Sequence, residues 1–260
     1  MAIDGERVMA NYTGTGNLKS RIDIYRYRSP AFDPVDLAVE LLPDDGLGLV
    51  LDVGAGTGRY TRRLRTAHPG CAVVAIDKSP GMLTEVEAPA MVADAQALPY
   101  PDDGADAVLA MHMLYHVPDI PAAVAEFRRV LKPGGTLLAS TNAAGDMAEV
   151  AALWDRAARA TVGPGAYSFG TAIENFDSAS APAPLNAVFD AVEEFRRKGL
   201  VAVPEPGPVL AFLASLRSWA DCEDAAFDAL LEAAAGELDG HFAEHATFDF
   251  TKTTVFYRCR

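Results

Sequence analysis

The chain is short of positive charge, of cysteine and of long apolar runs, and each shortage closes off a class of function. Lysine and arginine number 22 against 36 aspartates and glutamates, a formal net charge of −14. Such a field repels a phosphate backbone, so no nucleic-acid partner is expected. The densest basic stretch, Arg59 to Arg65, falls at helical spacing and reads as a solvated helix face. Cys71, Cys222 and Cys259 are odd in number and far apart. They fit neither a disulfide framework nor close-set zinc ligands, so a reduced, cytoplasmic setting is expected and no metal. No apolar run approaches the roughly 20 residues that span a bilayer. Residues 1–10 carry acids where a signal peptide would be basic and then apolar, so no membrane partner is expected either.

What is present is an ordinary globular composition, with 50% hydrophobic and 22% charged residues in 260. That length suits one sizeable α/β domain with accessory parts. From Phe32 to Asn142, short apolar runs bounded by turn residues alternate with helix-like stretches, which argues for βαβ units and a parallel sheet covered on both faces. Strands are predicted at 48–53, 72–77, 90–93, 105–110 and 136–141. Asp33-Pro34 and Ser79-Pro80 each read as a helix start, a capping side chain followed by a fixed φ. Lys132-Pro133-Gly134-Gly135 reads as a helix stop. Beyond Asn142 the spacing predicts a helix near 146–161, an aperiodic Gly/Ala/Ser/Pro stretch at 163–184, strands at 191–203 and 247–259, and helices from Pro208 and Asp224. The fold class is α/β, a Rossmann-like doubly wound sheet, mostly parallel with an antiparallel C-terminal strand, plus a small helical cap. The aromatic and apolar residues near Trp154, Phe169, Phe176, Leu210 and Trp219 read as core.

The most informative stretch is Leu49-Val50-Leu51-Asp52-Val53-Gly54-Ala55-Gly56-Thr57-Gly58, a buried strand ending in an acid and running into a glycine loop. Glycines permit the φ values of a tight strand-to-helix turn and let backbone approach a ligand closely. A dinucleotide fingerprint needs a further glycine at the position that Arg59 holds, and Asp52 puts a carboxylate where a pyrophosphate wants none. Asp77 follows Gly58 by 19 positions, close to the roughly 20 at which an acid ending the second strand grips ribose hydroxyls.

Two more blocks follow in order: Ala93-Asp94-Ala95-Gln96-Ala97-Leu98-Pro99-Tyr100, then Met113-Leu114-Tyr115-His116-Val117-Pro118-Asp119 ahead of Arg129-Val130-Leu131-Lys132-Pro133-Gly134-Gly135. Over about Val35 to Asn142 the chain resembles the class I S-adenosylmethionine-dependent methyltransferases, closest to the small-molecule group that includes quinone-biosynthesis and natural-product enzymes. The resemblance implies S-adenosylmethionine as cofactor and S-adenosylhomocysteine as product. It implies that Asp52, Gly54, Ala55, Gly56 and Gly58 form the loop around the methionine end, and that Asp77 holds the ribose. Lys78 and Met82 would flank the adenine, Asp94 would accept from its amino group, and Ala95 would donate to a ring nitrogen. Gln96 and Met111 complete the implied cofactor set. An N-terminal helical flap (1–31) would fold over the cofactor, with Tyr12 and Arg21 at its methionine end, although Arg21 to Arg28 equally fits an ordinary surface helix. The remaining divisions expected are a cofactor-binding core (32–142), a cap or substrate-side insertion (143–185) and a C-terminal part of the sheet with helices (186–260).

His116 is a candidate catalytic base or a helix cap, and His112 a residue of the pocket mouth or of the sheet core. The expected reaction is in-line methyl transfer to an O, N or C nucleophile of a small aromatic or hydrophobic metabolite, by a monomer or homodimer. The alternative is a methyltransferase-fold enzyme that catalyses cyclisation or another non-transfer reaction with the cofactor as a structural element.

Overall fold

A computed structural model of the protein describes residues 21–43, 46–161, 163, 174–217 and 222–260. Tyr12, Phe169 and Trp219 lie outside the described residues. A short 3₁₀ turn, Ile24–Tyr27, leads into the two-residue strand β1 (Arg28–Ser29) and helix α1 (Pro34–Leu41). The start of α1 follows its sequence signals: proline takes the first turn and the Asp33 carboxylate accepts from the Val35 N–H at 2.9 Å. There follow β2 (Leu49–Val53), α2 (Arg59–Ala67), β3 (Ala72–Asp77), β4 (Ala90–Val92), β5 (Ala105–Met111), α3 (Ile120–Val130) and β6 (Leu131–Asn142). The second half holds α4 (Ala148–Thr161), α5 (Pro182–Asn186), β7 (Val192–Val203), α6 (Pro206–Ala214), α7 (Asp224–Glu244) and β8 (Phe248–Cys259).

All eight strands join one sheet in the order β1-β7-β8-β6-β5-β2-β3-β4. The five strands from β6 to β4 are mutually parallel, and β8 is the antiparallel C-terminal strand. β1, which nothing in the sequence announces, pairs antiparallel with the outer strand β7. The chain winds outward from β2 through β3 to β4, then returns to build β5 and β6 on the other side. The carboxyl ends of β2 and β5 therefore flank a topological switch point, where open α/β sheets leave a crevice.

One expectation fails. Ser79-Pro80 opens no helix among the described residues. The chain from Ser79 to Val86 runs through i+3 turns, Met82 N–H to Ser79 O, Leu83 N–H to Pro80 O and Val86 N–H to Leu83 O. Gly81, in what would be the first turn, costs about 1 kcal/mol of helix propensity relative to alanine.

Alternation along the strands sorts the core. Leu51, Val53, Val108 and Val255 pack under Phe127 of α3 on one face, while Val50, Leu109, Leu138 and Phe256 meet Leu37, Leu41 and Leu64 of the other helices on the opposite face. A third cluster joins Val201, Phe248 and Phe250 to α4, α6 and α7, with Trp154 3% exposed within it. Phe176 is also fully buried. β7 and β8 extend past the end of β6, since Met147 N–H still bonds Thr251 O at 3.1 Å, and this overhang carries the third cluster beyond the carboxyl edge of the sheet.

Candidate functional site

The glycine loop is held open by backbone that other residues resist. Gly54, Gly56 and Gly58 have φ of 70°, 54° and 71°, the left-handed region where a Cβ is disfavoured. A Cβ on Gly54 would stand 2.6 Å from the Cβ of Met113. The loop is pinned to the neighbouring strand, with Gly54 N–H and Ala55 N–H donating to Ile76 O at 2.7 and 3.0 Å.

Asp52, 1% exposed, stands beneath this loop. One of its oxygens accepts from the Thr61 hydroxyl, and the other, Oδ1, is buried with no partner among the described residues. Burial outweighs the Thr61 bonds and pushes its carboxyl up to about 6. A buried carboxylate oxygen with no donor is the kind of deficit a cationic or N–H-bearing ligand completes.

Asp77 ends β3 and faces the same loop. Its Oδ2 accepts from Gly56 N–H at 2.8 Å and its Oδ1 from Ser79 N–H at 2.9 Å. Burial raises its carboxyl above the usual range, against these backbone bonds. Each oxygen keeps a lone pair, enough for two vicinal hydroxyls. Asp94 lies just past β4, where the Lys78 ammonium takes its Oδ2 at 2.7 Å while the backbone N–H and side-chain amide of Gln96 take Oδ1 at 3.0 and 3.1 Å. Burial works against ionisation here, but Lys78 and Gln96 outweigh it and hold the carboxyl below its usual range. Lys78 thus reaches across the slot to Asp94, a pairing the sequence reading does not contain. Gln96 accepts in turn from Asp119 N–H at 3.1 Å and ties this corner to the start of α3. Met82, Ala95 and Met111 are buried, at 2%, 6% and 6% exposure.

His112 and His116 sit at the end of β5. His112 has a φ of 52°, and its N–H bonds both Ser140 O and Ser140 Oγ at 3.1 Å. Burial, then the Lys252 ammonium, then His116 lower His112 to about 3. Burial and then Arg21 lower His116 to about 3. Both rings are therefore neutral at neutral pH. Arg21 bears electrostatically on both His116 and Tyr25, and in the segment before β1 Ile24 and Arg28 are buried at 1% and 8% exposure while Ile22, Asp23 and Arg26 are exposed. Sequence reasoning missed Tyr25, Arg28, Asn142, Asp146 and Lys252. Asp146, Asn142 and the Tyr25 ring surround the Lys252 ammonium, Arg28 packs on Gly199, the register partner of Lys252, and the charge of Lys252 bears on His112. The legible signal was Lys252 itself, at an inward position of the alternation Phe248, Phe250, Lys252, Thr254, Phe256.

A doubly wound sheet with a left-handed glycine loop at its switch point, and acids at the ends of three successive strands, is the architecture of the class I S-adenosylmethionine-dependent methyltransferases. Residues 51–139 match the family described as a methyltransferase domain. Over 112 residues the chain is 36% identical to the malonyl-[acyl-carrier protein] O-methyltransferase of Serratia marcescens, covering 41% of this chain and 43% of that one. It is 37% identical over 123 residues to an uncharacterized methyltransferase of Mycobacterium tuberculosis, covering 45% and 49%. The chain thus spans less than half the length of these relatives. Solved structures extend the likeness in fold alone: the YcgJ protein of Bacillus subtilis, with TM-score 0.56 at 17% identity over 86% of this chain and 96% of that one, and the [4+2]-cyclase SpnF, with TM-score 0.52 at 21% identity over 87% and 79%.

Proposed function

We propose that this chain is an S-adenosylmethionine-dependent methyltransferase that acts on a small, largely apolar acceptor by in-line displacement. The observation that carries the reading is the orphaned Oδ1 of Asp52 beneath a loop of three left-handed glycines, with Asp77 and Asp94 on the next two strands. These residues fit the cofactor: Asp52 for its ammonium, Asp77 for its ribose hydroxyls and Asp94 for its adenine amine. When bound, the cofactor supplies a methyl group already activated on a sulfonium. The protein's share of the work is then to orient the nucleophile and exclude water, and orientation supplies roughly 7 to 11 kcal/mol of barrier reduction.

General-base catalysis adds only about 10² to 10⁴-fold. His112 and His116, held near 3, are poor bases at neutral pH, but a neutral imidazole still accepts a hydrogen bond from an acceptor hydroxyl or amine and fixes its direction. Relatives that methylate the oxygen of a malonyl group favour an oxygen nucleophile. Isothermal titration with S-adenosylmethionine and S-adenosylhomocysteine tests the reading: binding in the micromolar range supports it and no binding overturns it. The fold likeness to a cyclase gives the alternative chemistry, and release of S-adenosylhomocysteine with each turnover excludes that alternative.

A further inference from the structure

On one face of the sheet, a buried polar belt separates two apolar clusters. Along β8 the inward residues run Phe248 and Phe250 in one cluster, then Lys252 and Thr254, then Phe256 in the other. The Lys252 side chain is 7% exposed and is ion-paired with Asp146, itself 6% exposed. Its ammonium also donates to Asn142 Oδ1 at 2.5 Å and lies 5.6 Å from the centre of the Tyr25 ring. Asp146 is held in turn by Thr253 N–H at 2.6 Å.

A second cation enters the belt from β1. Arg28 pairs in register with Val201, and its side chain folds into the space left by Gly199, where a Cβ would stand 2.5 Å from Nε. The guanidinium stacks on Phe32 at 4.5 Å and donates to Arg197 O at 2.8 Å. No carboxylate pairs with it among the described residues, and its Nε is buried without a partner. Asp146 is the carboxylate whose charge reaches it. Among the described residues the belt therefore holds two buried cations against one buried carboxylate, in a chain whose overall charge is −14. A buried charge left without a counter-charge is costly, and apolar residues of similar size would stabilise this face better.

The backbone singles out the same place. Three non-glycine residues among those described have a positive φ, and two of them, His112 and Met147, flank the belt, at 52° and 58°. Such strain gathers where a ligand is held. The belt also lies at the carboxyl edge of β5 and β6, on the crevice side of the sheet.

Resting on the methyltransferase reading, we propose that this belt receives an anionic group of the acceptor, a carboxylate or a phosphate, with Arg28 and Lys252 as its counter-charge. The acceptor is then an apolar molecule with one anionic end, held by that end while its nucleophile faces His112.

The test uses the full chain saturated with S-adenosylhomocysteine and titrated calorimetrically with paired probes: benzoate against benzamide, and phenyl phosphate against phenol. At least one anion is expected to bind about tenfold more tightly than its neutral partner, and which one does so separates carboxylate from phosphate. Arg28→Met is expected to remove most of that preference. The double variant Lys252→Met/Asp146→Asn, which deletes the ion pair without stranding either charge, is expected to remove the rest, with S-adenosylhomocysteine affinity preserved in both. Should the double variant not fold, Arg28→Met decides alone. Equal binding of charged and neutral probes, binding of neither, or a preference that survives the substitutions overturns the proposal while the methyltransferase reading stands. Failure of S-adenosylhomocysteine to bind the unaltered chain brings down both.

Discussion

At the amino edge of the sheet, Asp106 accepts from Gly48 N–H, Leu49 N–H and the Lys132 ammonium, all within 2.9 Å, and Arg129 donates to Leu98 O, Tyr100 O, Asp102 and Glu126. At the carboxyl edge, Asp52 Oδ1 and Arg28 Nε are buried without partners among the described residues, and His112 and Met147 hold left-handed backbone. The amino edge has open groups too, since His68 Nε2 is buried without a partner among the described residues and Asp103 has a φ of 53°. The contrast therefore rests on the charged groups: Asp106 and Arg129 are fully bonded, while Asp52 and Arg28 each keep an unpartnered atom. Satisfied groups add stability, whereas open ones are strain and desolvation that a ligand relieves.

Two glycines test this comparison most sharply, because they share a backbone conformation and sit at opposite edges. Gly54 and Gly134 have φ of 70° and 78°, but a Cβ on Gly54 meets Met113 at 2.6 Å while one on Gly134 meets nothing within 4 Å. Gly54→Ala is expected to weaken S-adenosylhomocysteine binding by about a hundredfold, ~2.7 kcal/mol. Gly134→Ala is expected to cost about 1 to 2 kcal/mol of folding stability, with the dissociation constant unchanged. Calorimetry and urea unfolding on the two variants decide it; equal effects on binding would remove the distinction between the edges. Asp106→Ala extends it, since it strips the partner from two backbone N–H groups and one ammonium. A loss of about 2 kcal/mol in urea unfolding is expected, again with cofactor affinity intact.

The sequence carried most of the strands well. The central strands β2, β3 and β5 are short apolar runs closed by turn residues, so β3 was legible to its exact ends. The longer β7 and β8 were legible to within a residue, whereas β6 begins five residues before its predicted start and β1 was not legible. The positions of Asp52, Gly54, Asp77 and Asp94 along the crevice were legible as well, because strand, loop and strand impose fixed spacings. The belt was not. Lys252 and Asp146 are 106 residues apart, and Tyr25 and Arg28 reach them through a two-residue strand, so only the pairing of β7 and β8 brings them together. Ser79-Pro80 misled for a different reason: a helix start signal is local, and whether a helix follows depends on the residues beyond it.

Asp52 offers a smaller effect that sharpens the carboxyl edge. Its carboxyl, pushed up to about 6, must lose its proton to meet a cationic ammonium. Affinity for S-adenosylmethionine is therefore expected to hold at pH 7 and above and to fall roughly tenfold by pH 5. Asp52→Asn is expected to bind weakly with no pH dependence over that range. Calorimetry at pH 5, 6, 7 and 8 gives the curve, and a wild type as flat as the variant would free Asp52 from the ammonium.

The two histidines give the smallest effect at neutral pH and the opposite sign in acid. Each is held near 3 in the fold against about 6.5 unfolded, so between those values the unfolded chain binds more protons and stability drains as pH falls. Asp52 works the other way: its folded carboxyl keeps a proton between about 3.8 and 6, a contribution that grows as pH falls. Asp77, raised in the same direction, adds to that gain. The two large histidine shifts, joined by Asp94, Asp106 and Glu126 held below their usual range, outweigh it, so the fold is expected to be acid-labile below pH 6.5. His112→Asn, with a side chain that tolerates left-handed backbone, is expected to make urea midpoints fall less steeply from pH 6.5 to 4. Above pH 6.5 both rings are already neutral, so kcat/KM is expected to show no histidine limb between pH 6.5 and 8. A limb there that vanishes in His112→Asn would mean the ring takes a proton in turnover, and the carboxyl edge would then hold a true base.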